Sequence, residues 1–356
     1  MRWCGAARLC APLVPRGFRV RPVWTSWLGP IVAAYFLADV KIAAIRVPMR
    51  PQIGLPLAAA SLSWLSPPTH LAHDRVNFDH YCQQKAAPPG SAVYYALRQA
   101  KAADRPGLTA LFAYRRELEE TIETFSEVAV GQAKLVWWQR ELQSLAGGEG
   151  AAPAHPVTRA LAAHLREPAS ALAALQAVAD GYAMDLEQAR YLDYAGLNQY
   201  LLKVGGQGAL LVARAAGIRS SAGLEAATQL GHALTLAQLL RDVGQHARHG
   251  RIYIPVDELQ RFGVTAADVV NRRYSEAFSA LMAFQVTRAR DAIQTALVKL
   301  RTDPGTSRAA RATLGAQAAI ALATLGEIEA SHFQVLHQQI FLTPLRMLWL
   351  TWRGAH

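Results

Sequence analysis

The sequence predicts an all-α fold: one helical domain over residues 76–356, preceded by a basic, proline-rich extension over residues 1–75. Three observations carry this. From about Asp79 onward apolar residues recur at three- and four-residue spacings. The apolar/polar alternation of strands is nearly absent. Gly/Pro clusters fall between the periodic stretches, and none is long enough to separate two domains.

Residues 1–75 differ in kind. They hold nine of the 18 prolines, four of the eight tryptophans and +7 of the +11 net charge. The apolar run "VWTSWLGPIVAAYFLA" is broken by Pro30 and closed by Asp39 and Lys41, short of the ~20 apolar residues that span a bilayer. Arg16, Arg19 and Arg21 before it imitate a signal sequence, but no small-residue cleavage site follows. The expectation is an extension outside the fold or a misplaced translation start, with a membrane-facing anchor as the alternative.

The remaining residues carry only +4, so a nucleic-acid partner is not expected. Cys4, Cys10 and Cys82 form no CxxC and no zinc-like cluster, so a reducing, cytoplasmic compartment is the simpler expectation.

Along the chain, "YRRELEETIETF" (114–125) reads as a helix whose apolar stripe is Leu111, Leu118, Ile122 and Phe125. Glu119 and Glu123, four apart, project side by side. Glu120 lies further round, and Arg116 sits one turn before Glu119 and Glu120. Taken alone this is a solvated face whose Arg–Glu pairs are worth about 0.2–0.5 kcal/mol each; the alternative is a set of metal ligands. Breaks follow at "AGGEGAAPAHP" (146–156), "AGIRSSAG" (216–223), "HGRIYIP" (249–255) and "RTDPGTS" (301–307). Between the first two, "DGYAMDLEQARYLDYAGLNQYLLKVGG" (180–206) places Asp185, Arg190 and Tyr191 ahead of glycines that let helices approach closely. A helix over about Leu224–Ala247 carries Asp242 and His246 four apart and ends in Arg248, His249 and the stop residue Gly250. "RIYIP" then leaves in extended form.

The order of these segments resembles the squalene/phytoene synthase family, and within it the bacterial presqualene diphosphate synthases of the hopanoid pathway. "YCQQKAAPPGSAVYYAL" (81–97), "AKLVWWQREL" (133–142), "HPVTRAL" (155–161), "MDLEQARY" (184–191), "LLRDVGQHARHGRIYIP" (239–255), "DELQRFGV" (257–264), "RYSEAFSALMAFQ" (273–285) and "LTPLRMLWLTW" (342–352) all take part. The likeness runs from about Val76, a position that would make a normal amino terminus, to the C-terminus.

The resemblance implies a class I isoprenoid synthase bundle around a central cavity. It also implies head-to-head joining of two prenyl diphosphates, farnesyl diphosphate first among them, in squalene or hopanoid biosynthesis. Two acidic motifs on facing helices would hold Mg²⁺ against the departing pyrophosphate. By position, the metal ligands become Glu119, Glu120, Glu123, Asp242 and His246. Tyr95, Arg116, Tyr191 and Arg241 take catalytic positions, and Ser91, Tyr94, Arg116, Arg190, Arg241, Arg248 and Arg251 substrate-binding ones. NADPH enters only if a reductive second step follows.

The departures are equally specific. Every Asp of the first motif is Glu. The last Asp of the second is His246, a poor Mg²⁺ ligand, and the Glu before it is Gln245. Gln238 stands for an Asn, Arg115 for a Cys, and Ala321-Leu322 for a Tyr-Arg pair. Two alternatives therefore stay open: a non-catalytic relative that binds prenyl chains or a protein partner, and a phytoene-type enzyme using C20 substrates. "FLTPLRMLWLTWRGAH" reads as a last helix packed on the core or as an interfacial membrane contact.

Overall fold

The computed structural model describes residues 77–124, 127–146 and 152–354. The extension over 1–75 and Phe125 lie outside the described residues.

Among the described residues fifteen α-helices follow one another. The N-terminal group is α1 (Phe78–Ala86), α2 (Ala92–Leu97), α3 (Arg105–Thr124), α4 (Val128–Gln143) and α5 (Pro156–His164). The middle comprises α6 (Pro168–Glu187), α7 (Tyr194–Leu201), α8 (Gln207–Ala215), α9 (Ser221–Arg241) and α10 (Val243–Arg248). The last group is α11 (Val256–Arg261), α12 (Ala266–Val270), α13 (Glu276–Thr302), α14 (Arg308–Ala330) and α15 (Pro344–Gly354). No strand occurs among the described residues. Arg190 and Ile252 form one isolated parallel bridge, which ties the segment after α6 to the extended "RIYIP" segment.

The centre of the bundle is α9. Eleven of its 21 residues are buried, Leu230, Leu236 and Leu240 among them, as suits a helix covered by neighbours on several sides. It is packed by α8, α13 and α14. Its start is set by Ser220, whose hydroxyl accepts the Gly223 amide. The chain between α7 and α8 makes a π-helical turn over Leu202–Gly206. There Gly205 meets Gly231 of α9 so closely that a Cβ on Gly231 would lie 2.2 Å from the Gly205 carbonyl oxygen. Only two glycines allow this crossing.

The apolar face of α3 buries Leu108, Leu111, Leu118 and Ile122. Tyr114, on the same helix, meets the fully buried Trp138 of α4 edge-on at 5.5 Å and donates its hydroxyl to the Leu175 carbonyl of α6. These contacts fix the rotation of α3 and so decide which way its charged face points.

One expected helix is divided. The stretch read as continuous over Leu224–Ala247 begins at Ser221 and breaks at Asp242, whose φ of −100° and ψ of 14° leave the helical region before α10 starts. Gly250, at φ 73°, is the expected stop.

Candidate active site

Two chambers meet between α3 and the C-terminal end of α9. The first, of about 390 Å³, is lined mainly by apolar or small residues, including Leu111, Phe112, Val178, Leu211, Leu234 and Ile320, with Arg115, Arg116, Glu119 and Arg241 on its polar side. The second, of about 410 Å³, is polar and takes Glu123, Asp185, His246, His249, Arg251 and Tyr253. Arg115, Glu119 and Gln238 line both. They are also joined to one another: Arg115 Nη2 donates to Gln238 Oε1 at 2.8 Å, and Gln238 Nε2 donates to Glu119 Oε1 at 3.2 Å. This bridge from α3 to α9 and back stands where the chambers join.

Arg115 also donates through Nε to the Tyr182 hydroxyl at 3.3 Å. Burial opposes its charge, but Tyr182 and Glu119 more than offset this and hold the guanidinium protonated. One position on, Arg116 gathers three glutamates: Nη1 reaches Glu119 at 3.0 Å, Nε reaches Glu120 at 3.1 Å and Nη2 reaches Glu123 at 3.3 Å. Lys85 of α1 takes Glu120 at 2.5 Å and Glu117 at 3.0 Å. Half-exposed pairs of this kind add little stability; their effect is to balance the carboxylates of α3 with local cations. Burial, with Glu119 next, raises the Glu123 carboxyl above its ordinary value despite Arg116.

On the facing wall, Asp242 is buried and forked by its neighbour: Arg241 Nε reaches Oδ1 at 2.8 Å and Nη2 reaches Oδ2 at 2.6 Å. Asp242 lines neither chamber; it borders a small cleft with Arg248 and the segment Val335–Gln339. His246 does reach the polar chamber. Burial lowers its pKa to about 4 against the pull of Asp242 and Glu119, so the imidazole is neutral at pH 7, and its Nδ1 is buried without a hydrogen-bond partner.

Deeper in the polar chamber, Asp185 accepts hydroxyls from Tyr200 at 3.0 Å and Tyr253 at 2.9 Å. Burial pushes its carboxyl up to about 7, against the opposing influence of Arg251, Tyr253 and Tyr200. Tyr191, buried, packs beside Tyr200 and stacks on Tyr253.

The other residues singled out in the sequence are dispersed. Ser91 caps α2 by accepting the Tyr94 amide and lines the apolar chamber. Tyr94 accepts from Arg98, and Tyr95 packs on a side cluster of Ile320, Leu342 and Met347; neither lines a chamber. Arg190 and Arg248 are exposed, while Arg251 reaches the polar chamber. Lys85, Tyr182, Thr235, Tyr200 and Tyr253 join the site without having been singled out. The bonding partners of Lys85, Tyr182, Tyr200 and Tyr253 come from other elements, and no local spacing marks any of the five.

The donors for a Mg²⁺ ion bridging the two walls are not brought together. Among the described residues no three His, Cys, Asp or Glu side chains form a metal-holding group. The α3 carboxylates converge on Arg116, Asp242 is held by Arg241, and the remaining wall group is an imidazole. A hard cation wanting octahedral oxygen ligation does not fit this donor set.

A helical cup with an apolar chamber opening on arginines and glutamates is the architecture of enzymes that handle prenyl diphosphates. The squalene/phytoene synthase family profile matches residues 87–346, and the chain belongs to that family. It is 28% identical to the 15-cis-phytoene synthase of Synechococcus elongatus over 75% of this chain and 89% of that one. It is 30% identical to the phytoene synthase of Arthrospira platensis over 59% and 71%. Among solved structures, a dehydrosqualene synthase superposes with a TM-score of 0.65 at 22% identity, covering 78% of this chain and 95% of the other. A squalene synthase of Alicyclobacillus acidocaldarius does so with a TM-score of 0.61 at 20% identity, covering 72% and 94%. These two likenesses establish the isoprenoid-synthase fold.

Proposed function

We propose that the protein binds prenyl diphosphates and joins two of them head to head, with farnesyl diphosphate the first substrate to test. One observation carries this reading: the apolar chamber opens directly onto Arg115, Arg116 and Arg241. A prenyl tail buried there leaves its diphosphate at the arginines. These fixed charges offset the negative charge that grows on the pyrophosphate as the allylic C–O bond breaks. The apolar lining keeps water from the carbocation. The likeness to phytoene synthases makes the C20 diphosphate the second substrate to test. Pyrophosphate release on adding farnesyl diphosphate, compared with its C20 homologue, checks both.

A second reading is a non-catalytic relative that only holds prenyl chains. The specific observation favouring it is the Asp242 carboxylate, tied to Arg241 and turned from the chambers. Restoring the family's residues through Glu119→Asp, Glu123→Asp and His246→Asp discriminates the two. Turnover only in the restored variant supports this second reading.

The outer face of α15 supports a peripheral membrane contact. Leu345, Leu348, Trp349 and Trp352 are exposed there, with Phe341 just before the helix, while Met347 and Thr351 face inward. Arg353 lies over the Trp349 ring at 5.2 Å. Aromatic and basic residues in this mixture suit a headgroup interface, and a water-insoluble product would leave there. No helix among the described residues is long and apolar enough to cross a membrane.

A further inference from the structure

We propose that Arg115 is a fixed cation of the diphosphate site and lets the protein bind a prenyl diphosphate without a divalent ion. The inference rests on the prenyl-diphosphate reading above and gives that site its charge mechanism. It begins from the disagreement between the walls and Mg²⁺. Between α3 and α9 the Arg115 guanidinium bonds Gln238 across the gap.

Four observations support the assignment. Arg115 lines both chambers, so it sits where a diphosphate would lie when its tail fills the apolar one. Its donors are held by Gln238 and Tyr182, so the group is positioned before any ligand arrives. The Gln238 amide that accepts from it is neutral, and a phosphate oxygen can replace that acceptor with gain of a charge-assisted bond. The second wall offers a hard cation few oxygen donors: His246 presents an imidazole, and both oxygens of Asp242 are bonded by Arg241. Arg116 and Arg241 line the same apolar chamber but are already paired with carboxylates, whereas Arg115 donates to the neutral acceptors Gln238 and Tyr182.

The test is calorimetric titration of the full chain with farnesyl thiodiphosphate, a non-ionising analogue, in EDTA and in Mg²⁺, with farnesol as the tail-only control. Wild type is expected to bind the analogue about equally under both conditions. Arg115→Met is expected to lose about tenfold or more in EDTA, the scale of one charge-assisted hydrogen bond, while binding farnesol as before. Arg115→Lys is expected to fall between the two. Unchanged farnesol binding shows that the variants are folded. Binding of the analogue by wild type only when Mg²⁺ is present overturns the inference and leaves the prenyl-diphosphate reading standing. So does an Arg115→Met protein that binds the analogue in EDTA as wild type does. No binding of analogue or farnesol under either condition overturns both.

Discussion

Arg241 spends its guanidinium on the residue next to it: both Nε and Nη2 bond the Asp242 carboxylate, at 2.8 and 2.6 Å. Adjacent helical residues cannot face one another in this way. The fork forms where the helix breaks at Asp242, and a carboxylate that the family resemblance implied for the site lines neither chamber.

Breaking this fork is expected to leave a buried carboxylate short of partners. Arg241→Ala should lower stability by about 1.5–3 kcal/mol, the range for a hydrogen bond to a charged group. Urea denaturation at pH 7 measures it, with Arg241→Ala/Asp242→Ala as the double variant that recovers part of the loss.

Asp185 and His246 are expected to give opposite pH slopes. The Asp185 pKa is raised to about 7, first by burial, so between about 4 and 7 the native state holds a proton the unfolded state has released. Stability contributed there falls as pH rises through that window. His246 is lowered to about 4, again first by burial, so between about 6.5 and 4 the unfolded state binds the extra proton. Its contribution falls as pH drops. Urea denaturation from pH 4.5 to 7.5 should show Asp185→Asn relatively stabilised at the alkaline end and His246→Gln relatively stabilised at the acid end.

Gly231→Ala tests the helix crossing that forms the cavity floor. Its Cβ would stand 2.2 Å from a backbone oxygen, so the helices must separate. The expected loss is about 1–3 kcal/mol or more, read from thermal or urea denaturation.

Gly208→Leu separates stability from binding. Gly208 lines the apolar chamber, and a Cβ there meets nothing within 4 Å. Replacing a helical glycine should leave stability unchanged or raise it by up to about 1 kcal/mol. The added side chain occupies the tail's space. Thermal denaturation should show an intact or higher Tm, and titration with farnesol should show weakened binding.

The all-helical architecture was legible because periodicity and breaks are local. Gly250 and the glycines near position 205 act within a turn or through one close contact, whereas the start at Ser221, capped by Ser220, was placed three residues late. Four-residue spacing made it legible that Glu119 and Glu123, and likewise Asp242 and His246, share a helix face, but that the two faces border one space came from the family resemblance and not from spacing. What the residues do to one another was not legible. The Arg115–Gln238–Glu119 bridge joins positions more than a hundred apart in the chain, and the Asp185 cluster depends on Tyr200 and Tyr253 arriving from different elements. The break at Asp242 was hidden for another reason. Its flanks, "LLR" and "VGQHAR", keep an apolar rhythm across it, so periodicity alone runs the two helices together.

The central claim is that this cup condenses prenyl diphosphates despite its altered acidic walls. Product analysis by gas chromatography and mass spectrometry after incubation with isotopically labelled farnesyl diphosphate, with and without Mg²⁺, tests it most directly. A C30 head-to-head product appearing with pyrophosphate release is the predicted result. Labelled farnesyl diphosphate recovered intact under both conditions, from protein that binds the thiodiphosphate analogue, would contradict it.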